Sequence, residues 1–148
     1  MTPAELKTSP TLEIDRTFNA TRERVFDAFI NPEVFAAWWG PEGMRVSDYA
    51  LDVRVGGDWH SVLNAPDGST HHVSGIYTAI DAPSRLAFTW AWEVNGERGH
   101  ETSCVLTFVA DGDKTHIHLR QGDFTDGCEQ HHQGWTSSFN CLDAILAG

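Results

Sequence analysis

Apolar and polar side chains alternate along the first patterned stretch of the chain, from residue 12 to residue 18. Leu12, Ile14 and Phe18 fall on one side of this alternation, and Glu13 and Asp15 fall on the other. A period of two residues is typical of a strand that buries one face. The chain is therefore predicted to begin its fold with a strand.

Apolar residues then recur at helical spacing, which predicts two short helices. Thr21 is placed to cap the first helix, and Asn31 with Pro32 begins the second, since asparagine caps well and proline is tolerated at the first helical position. Gly40 and Pro41 end it. The apolar positions are Val25, Phe26, Phe29 and Ile30 in the first helix and Val34, Phe35, Trp38 and Trp39 in the second.

Between Val46 and Gln121 the pattern predicts about six antiparallel strands in a meander, because short apolar alternations are separated by residues that favour turns. The predicted turns are Gly56-Gly57, Asn64-Ala65-Pro66-Asp67-Gly68, Asp81-Ala82-Pro83, Asn95-Gly96 and Asp111-Gly112-Asp113. One strand carries Leu86, Phe88, Trp90 and Trp92 on a single face, and the next carries Thr102, Cys104, Leu106 and Phe108. These two faces are expected to meet the same core.

The last segment returns to helical spacing after Asp126-Gly127. Its apolar stripe consists of Cys128, Trp135, Phe139, Leu142, Ile145 and Leu146. Gly134 inside this helix is expected to mark a bend or a close approach to the sheet. The predicted fold is α+β, with a curved antiparallel sheet of about seven strands around the long C-terminal helix and the two short helices above the space between them.

Composition narrows the class of protein. The 148 residues fit one domain, 1–148, in which residues 1–10 form a polar leader without the features of a secretory signal. The formal net charge is −11 at pH 7, and no basic cluster is present, which argues against nucleic acid or an anionic membrane as partner. No stretch approaches the roughly 20 apolar residues of a membrane span. We expect a cytoplasmic protein.

The three cysteines do not form a disulfide framework. Cys128 and Cys141 lie on the same predicted helix, about 20 Å apart, which is beyond the reach of a disulfide. Cys104 lies on a strand. Reduced thiols in a reducing compartment are expected.

Histidines and carboxylates offer candidate chemistry. His116 and His118 alternate on one strand and His131 and His132 lie on the helix, so a metal site is an alternative to solvated histidines. Solvation is favoured, because the apolar residues beside His116 and His118 point the opposite way. His71-His72 is interpreted as a polar hairpin arm, and His60 and His100 have no close sequence partner. The sequence predicts neither a metal nor a cofactor.

A general acid or base would require a carboxylate or imidazole inside a cavity. Glu101 and Asp52 are the carboxylates considered, but each lies in a polar alternation that favours exposure to solvent. Asp52 and Arg54 are expected to form an ion pair or to support a turn. Motifs for nucleophilic or nucleotide chemistry are not found in the sequence. A binding protein is therefore favoured over an enzyme, and no catalytic residue is assigned.

Several spaced motifs together resemble one known family. They are Arg16-Thr17-Phe18 with Ala20, Arg24-Val25-Phe26, Asn31-Pro32-Glu33, Trp38-Trp39-Gly40-Pro41, Asp52-Val53-Arg54, Gly56-Gly57-Asp58-Trp59, Gly75-Ile76-Tyr77, Pro83-Ser84-Arg85-Leu86 with Thr89-Trp90, and Gly134-Trp135 with Leu142. In this order, from about Leu12 to Leu146, they resemble the activator of heat-shock protein 90 ATPase homologue family, within the START-like superfamily of helix-grip domains. Thr21 stands where this family often has proline.

The resemblance implies a helix-grip fold with a cavity, but it does not imply one reaction. Related domains include lipid carriers, polyketide cyclases and aromatases, hormone receptors and cochaperone modules. Our leading hypothesis is a protein that binds a small hydrophobic or aromatic molecule between the C-terminal helix and the sheet. The alternatives are a polyketide cyclase or aromatase-like enzyme and a chaperone-associated interaction module, and a homodimer is left open.

Aromatic residues are the candidates for the ligand-binding wall. Trp59 and Trp135 are interpreted mainly as core residues. The predicted ligand-binding residues are Phe35, Trp38, Trp39, Phe88, Trp90, Trp92, Phe108 and Phe139.

Overall fold

The structure is a computed structural model that describes residues 11–40, 42–122, 124 and 128–147. The predicted leader 1–10, Pro41, the Asp126-Gly127 turn and the side chain of Cys128 lie outside the described part. The strands are β1 (Leu12–Phe18), β2 (Arg45–Leu51), β3 (Asp58–Asn64), β4 (Thr70–Asp81), β5 (Arg85–Val94), β6 (Glu97–Arg98), β7 (Thr102–Asp111) and β8 (Lys114–Gly122). The helices are α1 (Arg22–Ile30), α2 (Pro32–Trp38) and α3 (Cys128–Ala147).

The strands form one antiparallel sheet in the order β1-β8-β7-β5-β4-β3-β2, with β6 paired to β5 beside this path. The predicted helix-grip architecture is confirmed: the sheet is curved and α3 is the long helix of the fold. One element differs from the prediction. The two-residue strand β6 follows the Asn95-Gly96 turn and pairs with the end of β5, so seven strands lie between α2 and α3 in the described residues.

Local signals set the helix boundaries as predicted. The Thr21 hydroxyl accepts a hydrogen bond from the Arg24 N–H at 3.4 Å, and the Asn31 side chain accepts one from the Glu33 N–H at 3.2 Å. Both caps satisfy backbone donors that have no partner inside the helix. Trp39 ends α2, because its extended backbone leaves the helical region while its N–H still bonds the Phe35 carbonyl.

The core lies between the concave side of the sheet and the three helices. Phe139 of α3 contacts Phe18 of β1 edge to face, with ring centroids 5.5 Å apart. Phe29 of α1 contacts Phe108 of β7 in the same way, also at 5.5 Å. The predicted shared face of β5 and β7 is confirmed, since Leu86 pairs with Leu106 and both are fully buried. No helix in the described residues is long and apolar enough to cross a membrane.

Candidate functional site

A partly open pocket of about 230 Å³ lies where the first half of α3 faces β3, β4 and β5, next to the end of α2. Its wall is predominantly apolar. The lining residues are Trp39, Gly40, Met44, Leu63, His71, Trp90, Trp92, Gln130, His131, Gly134, Trp135 and Ser138.

Four tryptophans from three elements form much of this wall. Trp90 and Trp92 are two residues apart on β5, so their side chains project from the same face of the sheet. Trp39 follows the last residue of α2, and Trp135 lies on α3. The rings of Trp90 and Trp92 meet at 82° with centroids 4.5 Å apart, and those of Trp39 and Trp135 meet at 84° and 5.3 Å.

Buried hydrogen bonds hold two of these indoles. Trp135 Nε1 donates to Gln121 Oε1 at 2.7 Å, and Gln121 Nε2 donates to the Thr102 hydroxyl at 2.8 Å. The Thr102 hydroxyl donates in turn to the Trp90 carbonyl at 3.2 Å. Trp39 Nε1 donates to Ser61 Oγ at 3.1 Å. Since these N–H groups already have acceptors, Trp39 and Trp135 offer the pocket mainly their carbon surfaces.

Polar side chains complete the wall on the α3 side and on β4. The His131 ring lies edge to face with Trp90, at 4.5 Å between centroids, and 4.7 Å from Phe124. His71 contacts Trp92 at 5.9 Å, and its Nε2 lies 3.2 Å from Ser69 Oγ. The Ser138 hydroxyl donates to the Gly134 carbonyl at 2.8 Å. The pocket thus combines indole surfaces with two imidazoles.

The loop between α2 and β2 borders the pocket, and hydrogen bonds join it to α3. The Ser137 hydroxyl donates to the Glu42 carboxylate at 3.0 Å and accepts from the Glu42 N–H at 2.7 Å. Asn140 Nδ2 donates to the same carboxylate at 3.4 Å. Gly40 has a φ of +99°, and a Cβ there would lie 2.8 Å from Leu63 Cδ2. A side chain at Gly40 would therefore be strained and would press on the pocket wall.

The residues predicted for ligand binding fall into three groups. Trp39, Trp90 and Trp92 line the pocket. Phe35 and Phe88 border a separate narrow void of about 10 Å³, too small for an organic ligand. Trp38, Phe108 and Phe139 are almost fully buried in the core.

Trp135, His131 and Gln130 line the pocket, although none of them is among the residues predicted for ligand binding. Trp135 is predicted to be mainly a core residue, and it is buried while also lining the pocket. His131 and Trp135 are four residues apart on α3, a spacing that puts them on one helix face. This spacing, together with the predicted close approach of Gly134 to the sheet, could have shown that this face of α3 lines the pocket.

The other candidate groups lie on the protein surface. Arg54 Nε donates to Asp52 Oδ2 at 2.9 Å, so the predicted pair is present, and Arg98 Nη1 donates to Glu101 Oε2 at 3.1 Å. His116 and His118 face outward from β8, as predicted, and contact carboxylates of β1. Within the described residues, no group of three or more histidine, cysteine or acidic side chains is arranged to hold a metal ion.

Burial suppresses the acidity of three groups near the core. It raises the pKa of the Cys104 thiol well above its usual range, and it raises the pKa of Cys141, where Glu42 adds to the effect. It also raises the pKa of the Tyr77 phenol, with a further contribution from Asp52. Cys104 and Cys141 are free thiols. In the protonated form, these groups are poor nucleophiles.

The sequence matches a known protein family across this whole arrangement. The family described as activator of Hsp90 ATPase homolog 1-like protein matches residues 19–147. The chain belongs to this family. The match runs from the residue after β1 to the end of α3, so it includes every lining residue of the pocket.

Solved structures agree with this assignment to the activator of Hsp90 ATPase homolog 1-like family. An AHSA1 protein from Silicibacter pomeroyi is 31% identical, with a TM-score of 0.86, over 93% of this chain and 98% of that one. A protein from Chromobacterium violaceum is 25% identical, with a TM-score of 0.85, over 94% and 99%. A Rhizobium leguminosarum protein shares the fold at 24% identity, with a TM-score of 0.82, over 93% and 94%. A search of curated proteins found no match.

Proposed function

We propose that the protein binds a small hydrophobic or aromatic molecule in the pocket between α3 and the sheet. The observation that carries this proposal is the pocket wall, in which Trp39, Trp90, Trp92 and Trp135 surround one partly open space. Pockets for small molecules are typically concave and apolar, with a few polar groups that orient the ligand. His131 and Gln130 supply such groups here.

The size of the pocket limits the ligand. A volume of about 230 Å³ exceeds the ~150 Å³ of an engineered apolar cavity that binds benzene. It is smaller than the ~300–1,000 Å³ of sites for drug-sized molecules. A molecule with one or two rings, or a short branched chain, therefore fits better than a lipid with long acyl chains.

The proposal can be tested with a panel of one-ring and two-ring aromatic compounds and short aliphatic ones. Binding would raise the thermal midpoint and change tryptophan fluorescence. A ligand at 100 times its Kd adds about 2.7 kcal/mol to the free energy of unfolding. If no compound of the panel moves either signal, the proposal is contradicted.

A matched pair of α3 variants tests whether the pocket is the binding site. Gly134→Leu adds a side chain at the pocket wall, whereas Ala144→Leu adds apolar volume at an exposed position of the same helix. The glycine substitution also favours the helix by up to about 1 kcal/mol. We expect G134L to fold and lose ligand binding, and A144L to bind like the original chain. Unchanged binding by G134L would place the ligand elsewhere.

One observation favours an enzyme of the cyclase or aromatase type as the second candidate. Two imidazoles, those of His71 and His131, line an apolar pocket, where imidazole can act as a general base. Turnover of a bound polyketone analogue by the original chain, and its loss in His131→Gln with binding retained, would support this candidate. Bound compound recovered unchanged would favour simple binding.

We place the protein in the cytoplasm, where the Cys104 and Cys141 thiols would stay reduced. Light scattering would distinguish a monomer from a homodimer. The family description mentions Hsp90, so a chaperone-associated role is a further alternative. It would be favoured if the protein captured Hsp90 and no compound of the ligand panel bound.

A further inference from the structure

We infer that the four tryptophans of the pocket, Trp39, Trp90, Trp92 and Trp135, form a tryptophan cage that binds the quaternary ammonium group of a small molecule. The inference rests on the proposed ligand-binding function and specifies the class of ligand. Four of the six tryptophans of the chain line this one pocket. Among the aromatic side chains, the indole face attracts cations most strongly.

The arrangement of the rings suits a compact cation. Trp90 is nearly perpendicular to Trp92, and Trp39 is nearly perpendicular to Trp135, at 82° and 84°. In each pair the edge of one ring covers a face of the other, so a cation would contact the indole surfaces that these pairs leave toward the pocket. The bonds from Trp135 to Gln121 and from Trp39 to Ser61 hold two rings in place before binding. Such preorganisation reduces the ordering cost of binding.

Charge favours a cation over an anion. Among the described residues, no lysine or arginine lines the pocket, so a carboxylate or phosphate ligand would have no permanently charged cationic side chain to pair with. The chain carries a formal net charge of −11, and a negative field raises the local concentration of cations. A neutral ligand gains nothing from that field.

The type of cation follows from the lack of acidic groups in the described wall of the pocket. A primary ammonium keeps three N–H donors and a tight hydration shell, and both require acceptors when the group leaves water. A quaternary ammonium has no N–H donor and presents methyl groups, which match an apolar wall. The pocket volume of about 230 Å³ leaves space for this head group and a short substituent.

The test compares choline with 3,3-dimethylbutan-1-ol, in which carbon replaces the charged nitrogen and the shape is unchanged. Dissociation constants for both compounds are measured by tryptophan fluorescence and calorimetry at the same pH and ionic strength. We expect choline to bind the cage at least about tenfold more tightly than the alcohol. Equal binding, or tighter binding of the alcohol, would overturn the inference.

The outcomes separate this inference from the proposed function. If compounds of the aromatic panel bind but choline does not, the cage inference fails and the ligand-binding function stands. If neither the panel nor the two probes bind, both fail. A preference for choline over its neutral counterpart supports both.

Variants of Trp92 test the source of the preference. Trp92 is partly exposed, so its replacement disturbs the core less than replacement of Trp90. Trp92→Phe keeps an aromatic face, whereas Trp92→Leu keeps only apolar volume. We expect the preference for choline, which is the ratio of the two dissociation constants, to be largely kept in W92F and to fall several-fold in W92L, where three of the four indoles remain. Val94→Leu, at an exposed position of the same strand, is the control and should leave the ratio unchanged.

If W92L fails to fold, as judged by circular dichroism, the choline comparison in the original chain still decides the inference. A ratio that stays at its original value in a folded W92L would contradict a role for Trp92 in the cage.

Discussion

Trp38 and Trp39 are adjacent in the chain, yet their side chains lie in different surroundings. Consecutive residues at a helix end point about 100° apart, so one faces α1 and the other faces the sheet. Trp38 Nε1 donates to the Ala28 carbonyl at 2.8 Å and the ring is buried against Phe29, whereas Trp39 reaches Ser61 on β3 and the pocket. A step of one residue along the helix therefore places one tryptophan in the core and the next at the pocket.

The residue-scale prediction concerns Asp15, which joins two histidines on the outer face of the sheet. Asp15 Oδ1 lies 2.9 Å from His118 Nδ1 and 3.0 Å from His116 Nε2, and the other ring nitrogen of His118 lies 3.1 Å from Glu13 Oε1. The hydrogen bonds from His118 and His116 lower the pKa of Asp15, and the bond to Asp15 raises the pKa of His118. Both shifts favour the charged pair.

The sign of the pH dependence follows from these two shifts. The His118 contribution to stability is present below its unfolded pKa of about 6.5 and is lost as the pH rises through its raised folded pKa. The Asp15 contribution is present above its unfolded pKa of about 3.9 and is lost as the pH falls through its lowered folded pKa. The cluster therefore stabilises the protein mainly between about pH 4 and 6.5.

We expect Asp15→Asn to lower the free energy of unfolding near pH 5.5 and to have a smaller effect at pH 8. Urea unfolding of both proteins across this range measures the difference. Glu93→Gln, at an exposed position of β5, is the control and should show no such trend. An Asp15→Asn effect that is constant with pH, or that grows toward pH 8, would contradict the assignment.

At the scale of elements, a buried chain of hydrogen bonds joins α3 to the middle of the sheet. Gln121 of β8 is fully buried and connects Trp135 of α3 with Thr102 of β7. A buried amide without partners is costly, so this side chain specifies how the first half of α3 lies over the sheet. The pocket wall depends on that placement.

We expect Gln121→Leu to lower the free energy of unfolding by about 1–3 kcal/mol, because the Trp135 N–H loses its acceptor. We also expect weaker binding of pocket ligands, since the Trp135 ring is no longer fixed. Urea unfolding and fluorescence titration measure the two effects. Gln133→Leu, at an exposed position of α3, should change neither. Equal stability of Q121L and the original chain would show that the network does not hold the helix.

Secondary-structure elements whose boundaries depend on nearby residues could be predicted from the sequence. Thr21 and Asn31 cap their helices through atoms only a few residues away, and the alternation in β1 directly reports its buried face. The sequence does not predict the short strand β6, because its two exposed residues, Glu97 and Arg98, carry no apolar alternation. They pair with β5 because of the turn before them.

The membership of the pocket was harder to predict, because it depends on how elements are placed in three dimensions. Phe88 and Trp90 share one face of β5, yet Phe88 contacts Trp59 next to a narrow void while Trp90 borders the pocket. The curvature of the sheet and the position of α3 cause this difference. Neither the curvature nor the position of α3 can be predicted from the spacing of apolar residues within a single strand.

At the scale of the whole molecule, the two halves of α3 have different roles. The second half buries Phe139, Leu142 and Leu146 in the core, and its last carbonyls accept hydrogen bonds from Arg24, at 2.7 Å for that of Leu146. The first half, by contrast, is mostly exposed up to Trp135 and faces the pocket. Fewer buried contacts predict easier local opening, so the wall of the pocket is expected to be less stable than the rest of the fold.

Hydrogen exchange measured with and without a ligand tests this difference. Without ligand, we expect amides in residues 129–136 of α3 to exchange faster than those in residues 139–146, and faster than those in the central strands β7 and β8. The tightest-binding compound of the panel should slow exchange in residues 129–136 and around Trp90 and Trp92 of β5. It binds only when this part of α3 is folded against the sheet, so it makes local opening rarer. The same compound should cause no change in G134L. Amides that exchange through global unfolding also slow, wherever they lie, because the ligand stabilises the whole fold. A lack of protection in residues 129–136, or protection confined to β1 and the outer face of β8, would contradict a ligand held between α3 and the sheet.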